Sequence, residues 1–273
     1  MISMKIAAAY ITSEAGNVSA NLQGTLEMLS RLEKEQVRFV LFPELNISGY
    51  TTSEKKMTAV WKQKQKIFGQ LAEFSRNSQT AFAIGFPEMQ NGKLYIAQFI
   101  FEKGRIIGSH RKSHLGPTEK CTFHEGCEFP VFQVDKLAIG IQLCFETHFP
   151  EISYAQARQG ANVLAMGFAS PKETSAEKSE RFKRFLCARA YDNSCYVLAC
   201  NMAGETTTGT TIPGLAMAIG PRGNVLEETA ALRGGYCITD FEPEVLERIY
   251  QSKMAWFNRF KKNEILRSFY EEQ

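Results

Sequence analysis

The chain has 273 residues, 44% hydrophobic and 22% charged, and its 32 basic and 29 acidic side chains give a formal net charge of +3. That balance is ordinary for a soluble globular protein and argues for neither nucleic acid nor an anionic membrane as partner. No apolar run approaches the ~20 residues of a spanning helix, and cytoplasmic residence is the default expectation.

Residues 1–11 lack a signal-peptide cleavage region and read as the first strand. Leu22, Leu26, Leu29 and Leu32 fall at helical spacing and predict a helix around 21–35. Apolar, β-branched runs predict strands at 37–42, 81–86, 95–101, 106–110, 137–143, 163–167, 195–200, 215–219 and 236–239. Further helices are expected at 54–77, 150–159, 176–193 and 243–252, and 256–270 reads as a helix or an extended tail. Glu102-Lys103-Gly104-Arg105 and Pro221-Arg222-Gly223-Asn224 carry hairpin turns. With no repeat, low-complexity tract or linker, one domain over 1–273 is expected, with 253–273 as a C-terminal tail at a subunit interface. Strand–helix alternation with hairpins points to mixed sheets covered by helices. Strands apolar on both sides point to two such sheets face to face: an α/β (α+β) four-layer α-β-β-α sandwich.

Seven cysteines, an odd number, suit a reducing compartment better than a disulfide scaffold. Cys187, Cys195, Cys200 and Cys237 lie in apolar surroundings and read as small core residues.

Three segments place reactive groups at or just past strand ends: Phe42-Pro43-Glu44, His110-Arg111-Lys112-Ser113-His114-Leu115 and Leu143-Cys144-Phe145-Glu146. A thiol becomes a nucleophile once deprotonated; a nearby cation lowers its pKa and a nearby carboxylate can take its proton. Cys144 ends a buried strand, so the Phe145 amide points into the same space and offers a donor to an oxyanion. Lys112 can stabilise negative charge, and Glu44 is a candidate general base. Taken singly, each has a plainer reading: a strand-end thiol, a basic hairpin end, a turn acid. Phe86-Pro87-Glu88 repeats the tripeptide, and Glu88 is assigned no chemistry.

In their order, Glu then Lys then Cys, these segments resemble the motifs of the carbon–nitrogen hydrolase family, the nitrilase superfamily. Residues 42–50 resemble its first motif, 110–115 its lysine motif and 143–151 its nucleophile elbow, including the acid two after the cysteine. Segments 160–164, 188–193 and 220–223 are similar to later family blocks. The resemblance implies Glu44 as base, Lys112 and Cys144 as catalytic partners, and Glu119 as a second acid that orients Lys112 and the leaving nitrogen; Glu125 and Glu128 are alternatives for that place. It implies hydrolysis of a non-peptide C–N bond in a small amide or N-carbamoyl compound through a thioester, without metal or organic cofactor, in a homodimer or higher homo-oligomer. Phe145, Thr147 and His148 are then candidate oxyanion or substrate-binding residues.

Thr147 stands where relatives that read a carboxylate often carry Arg, which disfavours a carboxylate-bearing ω-amide, although Arg181 or Arg184 can supply a charge from elsewhere. A true nitrilase, converting a nitrile to acid and ammonia, is the alternative within the family. Outside it stand a non-catalytic module on the same fold and a zinc site built from His114, Cys121, His124 and Cys127.

Overall fold

The computed structural model describes residues 3–231, 233–262 and 264. In chain order the first half comprises β1 (Met4–Ile11), α1 (Val18–Lys34), β2 (Val37–Leu41), α2 (Glu54–Trp61), α3 (Lys64–Asn77), β3 (Ala81–Gln90), β4 (Lys93–Glu102) and β5 (Arg105–Arg111). Then come β6 (Val131–Val134), β7 (Leu137–Leu143), α4 (Pro150–Arg158), β8 (Val163–Phe168), α5 (Ser175–Asn193) and β9 (Tyr196–Asn201). The short pair β10 (Gly204–Glu205) and β11 (Thr211–Ile212) precedes β12 (Leu215–Ile219), β13 (Val225–Thr229), β14 (Gly234–Phe241) and α6 (Pro243–Gln251).

Two six-stranded mixed sheets result, ordered β14-β1-β2-β3-β4-β5 and β13-β12-β9-β8-β7-β6. Each has a parallel centre, β1-β2-β3 and β7-β8-β9, flanked by antiparallel strands. The centres are apolar on both faces because both faces are buried. On β1, Ile6, Ala8 and Tyr10 point between the sheets, where they meet Ile139, Ile141, Ala165 and Leu198. Ala7 and Ala9 point outward under Leu22, Leu29 and Leu32 of α1. The other outer face is covered by Phe182, Leu186 and Ala190 of α5. The expected α-β-β-α sandwich is therefore the observed one.

Differences from expectation fall at edges and ends. The helix expected over 54–77 is two helices, broken at Lys62 and Gln63. β6 and β13 were not among the expected strands; both are edge strands, and Val-Leu-Glu-Glu-Thr of β13 has too little buried face to show a core pattern. A third hairpin turns at Asn91-Gly92, both in the left-handed conformation that a two-residue turn requires. Of the four cysteines expected in the core, Cys195, Cys200 and Cys237 are buried and Cys187 is half-buried; all seven are free thiols. Of the segment expected over 256–270 as a helix or extended tail, Phe257–Arg259 forms a single 3-10 turn, and residues 263 and 265–270 lie outside the described residues. Among those described, no helix is long and apolar enough to cross a membrane.

The topology brings three strand ends together. β2 and β3 are parallel, β4 reverses and β5 reverses again, so β2 and β5 end at the same edge of their sheet. After β2, Asn46 Oδ1 accepts from Gly85 N at 2.8 Å, Ile47 N donates to Gly85 O at 3.2 Å, and Gln98 Nε2 donates to Phe42 O at 2.8 Å. These bonds clamp 42–47 against β3, leaving no room for a side chain at position 85: a Cβ there would lie 2.1 Å from Leu45 N and 2.5 Å from Pro43 O. From the facing sheet Gly167 also approaches the segment, less closely, its own Cβ position 3.0 Å from Glu44 N. Gly85→Ala should therefore lower stability by roughly 1–3 kcal/mol in urea unfolding. Gly69→Ala on α3, where a Cβ meets nothing within 4 Å, should be neutral or stabilising. Equal stability of the two variants would refute the close-approach argument.

Candidate active site

Three strand ends supply one carboxylate, one ammonium and one thiol. Glu44 follows β2, Lys112 follows β5 and Cys144 follows β7 of the facing sheet. Glu44 and Lys112 are buried, and Lys112 Nζ donates to Glu44 Oε1 at 2.8 Å. On its other side Lys112 Nζ reaches both oxygens of Glu119, at 2.9 and 2.8 Å. Burial works to deprotonate Lys112, but the charges of Glu44, Cys144 and Glu119 outweigh it and hold its pKa well above the ordinary value. The structure thus places Glu119 on Lys112. Its other contacts are Tyr50 Oη, which donates at 3.0 Å, and Gly116 N, which donates at 2.7 Å.

Glu44 is unlike Glu119. Its second oxygen, Oε2, is buried and has no hydrogen-bond partner among the described residues. Burial raises its pKa to about 7, Lys112 offsetting only part of the cost and Glu119 adding to it. Near neutral pH this carboxyl can take or give a proton.

Cys144 sits in the left-handed backbone region, φ 45°, at the junction of β7 with a single 3-10 turn, Cys144–His148. An L-residue adopts that conformation at a cost and only where its surroundings hold it. The Ala169 amide hydrogen-bonds the sulfur, and the charges of Glu44, Lys112 and Glu119 all reach it. The expectation that a nearby ammonium lowers the thiol pKa meets a stronger opposing effect. Burial and the negative charge of Glu44 push Cys144 up to about 12 against the pull of Lys112. The resting group is a thiol with a base beside it.

The elbow is braced by Glu146. Its carboxylate accepts from Leu143 N, Ser113 N and Ser113 Oγ, each at 2.6 Å, and lies 2.9 Å from His110 Nε2. Burial works to raise its pKa, but His110 and Ser113 together hold it below the usual carboxylate range. His110 and Ser113 flank Lys112, so Glu146 ties the Cys144 turn to the Lys112 segment across the two sheets. The motif includes Glu146 without revealing this role, because its partners lie 33 and 36 residues away. Tyr50 is likewise part of the first motif, and nothing local signals its bond to Glu119.

Of the other candidates, Phe145 is partly exposed and its ring meets His148 and Phe149. Thr147 is buried, its hydroxyl donating to Cys144 O at 2.7 Å. The His148 ring packs on Phe185, and burial with the charges of Arg181 and Arg189 lowers its pKa. Arg184 is exposed on α5. Glu88 forms two 2.8 Å bonds with Arg111. The zinc alternative is not supported: among the described residues no three His, Cys, Asp or Glu side chains are arranged to hold a metal, and His114 stacks on Phe149 with ring centroids 4.1 Å apart.

Glu44→Gln should raise the rate at which iodoacetamide labels Cys144 at pH 7, because it removes one of the two carboxylates that oppose the thiolate while Lys112 still favours it. Peptide mass spectrometry reads the site; a slower or unchanged rate would overturn this account of the sulfur's electrostatics.

Residues 5–251 match the family model described as carbon-nitrogen hydrolase. A deaminated glutathione amidase of Synechocystis is 28% identical over 90% of this chain and 94% of its own length. An omega-amidase of Saccharomyces cerevisiae is 27% identical over 91% of this chain and 90% of its own. An amidase from Nesterenkonia shares the fold, with a TM-score of 0.85 at 22% identity over 97% of this chain and 99% of that one. A match to the family model over most of the chain, on a fold that gathers the acid, the amine and the thiol, places this protein in the carbon–nitrogen hydrolase family.

Proposed function

We propose that the chain hydrolyses the C–N bond of a small amide or N-carbamoyl compound through a thioester on Cys144. The observation that carries this reading is the unpartnered Oε2 of Glu44, a buried carboxylate oxygen whose pKa near 7 suits proton transfer in both directions. Glu44 takes the thiol proton as sulfur bonds to the carbonyl carbon. Lys112 and the Phe145 amide hold the oxyanion, a contribution of about 10²–10³ in rate per donor in related chemistry. The C–N bond then breaks, and the nitrogen leaves with the proton held by Glu44. Water gives a proton to Glu44 and adds to the thioester; the C–S bond breaks and the proton returns to sulfur. Glu119 keeps Lys112 in place and orients the leaving nitrogen.

Amide hydrolysis is preferred to nitrile hydrolysis because the relatives above are named amidases. Seven free thiols suit a reducing compartment such as the cytoplasm. A homodimer or larger assembly belongs to the same reading; light scattering at micromolar concentration should give at least twice the 30.7 kDa chain mass.

A panel of matched amide, N-carbamoyl and nitrile compounds, read by ammonia release, tests the function. Cys144→Ala should keep its melting temperature within a few degrees and lose at least about 10³-fold in turnover. Because the ionised form of Glu44 is the base, wild-type kcat/KM should rise with pH through about 7. Substantial turnover by Cys144→Ala would end the mechanism.

A further inference from the structure

Beyond the catalytic groups lies a second buried charge. Lys178, on α5, is fully buried. Its ammonium donates to Ser170 Oγ at 2.9 Å and Pro171 O at 3.2 Å, and pairs with Glu173 Oε2 at 2.7 Å. One turn further along α5, Arg181 Nε donates to both oxygens of Glu173, at 3.0 and 3.1 Å, and Arg181 Nη2 donates to Ser170 Oγ at 3.1 Å. Two cations therefore converge on a single carboxylate.

Their position relative to Cys144 is fixed by the chain. Ala169, whose amide bonds the Cys144 sulfur, immediately precedes Ser170, which anchors both cations; consecutive Cα atoms are ~3.8 Å apart. Ser170 is itself held by Asn201, its N–H donating to Asn201 Oδ1 at 2.8 Å and its carbonyl accepting from Asn201 Nδ2 at 3.2 Å. The charge of Lys178 reaches the sulfur, and that of Arg181 reaches His148. The sulfur thus feels the Glu44–Lys112–Glu119 cluster on the β2 and β5 side and the Lys178 ammonium on the α5 side.

Glu173 is held by these two cations on a backbone that stores strain. Lys172 and Glu173 both lie in the left-handed region, φ 64° and 65°, which L-residues disfavour. The Glu173 side chain is 31% exposed and lines a cleft of about 1050 Å³, together with Thr12, Glu14, Thr206 and Gly214. It stands between that cleft and the two cations.

We propose that Lys178 and Arg181 form the recognition site for a carboxylate at the far end of a short amide substrate, and that the Glu173 carboxylate fills this site in the free protein. The inference rests on the amidase reading and names its substrate class. The carboxylate already in place shows what fits: one oxygen on the ammonium and both within reach of the guanidinium. A substrate with its amide carbon at Cys144 and its oxyanion toward Lys112 extends its other end toward α5.

The test uses paired probes that differ in charge: succinamate against butanamide, and glutaramate against pentanamide. The quantity read is the ratio of kcat/KM for the anionic amide to that for the neutral one. Arg181→Gln should lower this ratio at least about tenfold, the scale of one hydrogen bond to a charged group. Glu173→Gln should raise it, because the competing carboxylate is gone. Opposite shifts from two members of one ion cluster are not expected of a helix-capping network, in which either loss would slow both substrates alike. A ratio unmoved by Arg181→Gln, or moved the same way by both substitutions, overturns the inference and leaves amide hydrolysis standing. A second arm is independent of turnover. Calorimetry should show succinamate binding to Cys144→Ala and at least about tenfold weaker binding when Arg181→Gln is added. If the wild type cleaves no amide yet this difference is found, the hydrolytic reading falls and the carboxylate site stands; equal binding by the two proteins sinks the site.

Discussion

A single ammonium held between two carboxylates inside the sandwich is the constraint on which the rest of the site depends. Lys112 is buried with Glu44 on one side and Glu119 on the other. None of the three tolerates burial alone: removing one member of such a pair costs about 3–5 kcal/mol because the remaining charge has no partner. With two acids and one base, the cluster carries an excess negative charge whenever both acids are ionised. The structure distributes that excess unequally. Glu119 receives the Tyr50 hydroxyl and the Gly116 amide as well as Lys112, so its charge is fully solvated by protein. Glu44 receives only Lys112 on one oxygen, and burial moves its pKa to about 7. Two chemically identical side chains on one ammonium thereby acquire different hydrogen-bonded surroundings.

The cluster draws groups from both sheets, so the fold must hold the sheets in register at this point. Glu146 does this with a second, separate charge. Four donors from Leu143, Ser113 and His110 converge on its carboxylate, linking the turn after β7 to the residues on either side of Lys112. Gly85 and Gly167 both approach the Glu44 backbone, and a side chain at Gly85 would push the segment away while one at Gly167 would press tightly on Glu44 N. The site is thus pinned through backbone as much as through side chains.

How much of this was legible in the sequence follows from how local each signal is. Strand ends were legible at Pro43 and Cys144 because long apolar runs stop there, and the layer order followed from runs buried on both faces. Edge strands β6 and β13 were not, since one exposed face and few residues leave no periodicity to read. Glu44, Lys112, Glu119 and Cys144 were found by motif, and the structure brings them together. The part of Glu146 in that assembly escaped because its meaning lies in partners more than 30 residues distant. Lys178 escaped for the same reason: a Lys among many charged residues on a helix reads as solvated, and only the loop carrying Ser170 and Glu173 shows that it is buried.

The electrostatics also decide how the thiol must be used. A cysteine protease-like resting ion pair needs net positive charge around sulfur. Here burial and Glu44 dominate Lys112, and the sulfur keeps its proton, its pKa about 12. In the mechanism proposed above, Cys144 and Glu44 therefore rest together as thiol and carboxylate, and the negative charge passes to the substrate oxygen only as the proton moves to Glu44 and sulfur meets carbon. At that moment the Glu44 charge that opposed the thiolate disappears, and the Lys112 ammonium is left to face the oxyanion. In that mechanism the proton transfer that activates the sulfur also switches the field of the pocket from one suited to a thiol to one suited to the transition state. Discrimination in favour of the reacting geometry, rather than tight binding of the resting amide, is what such a field supplies.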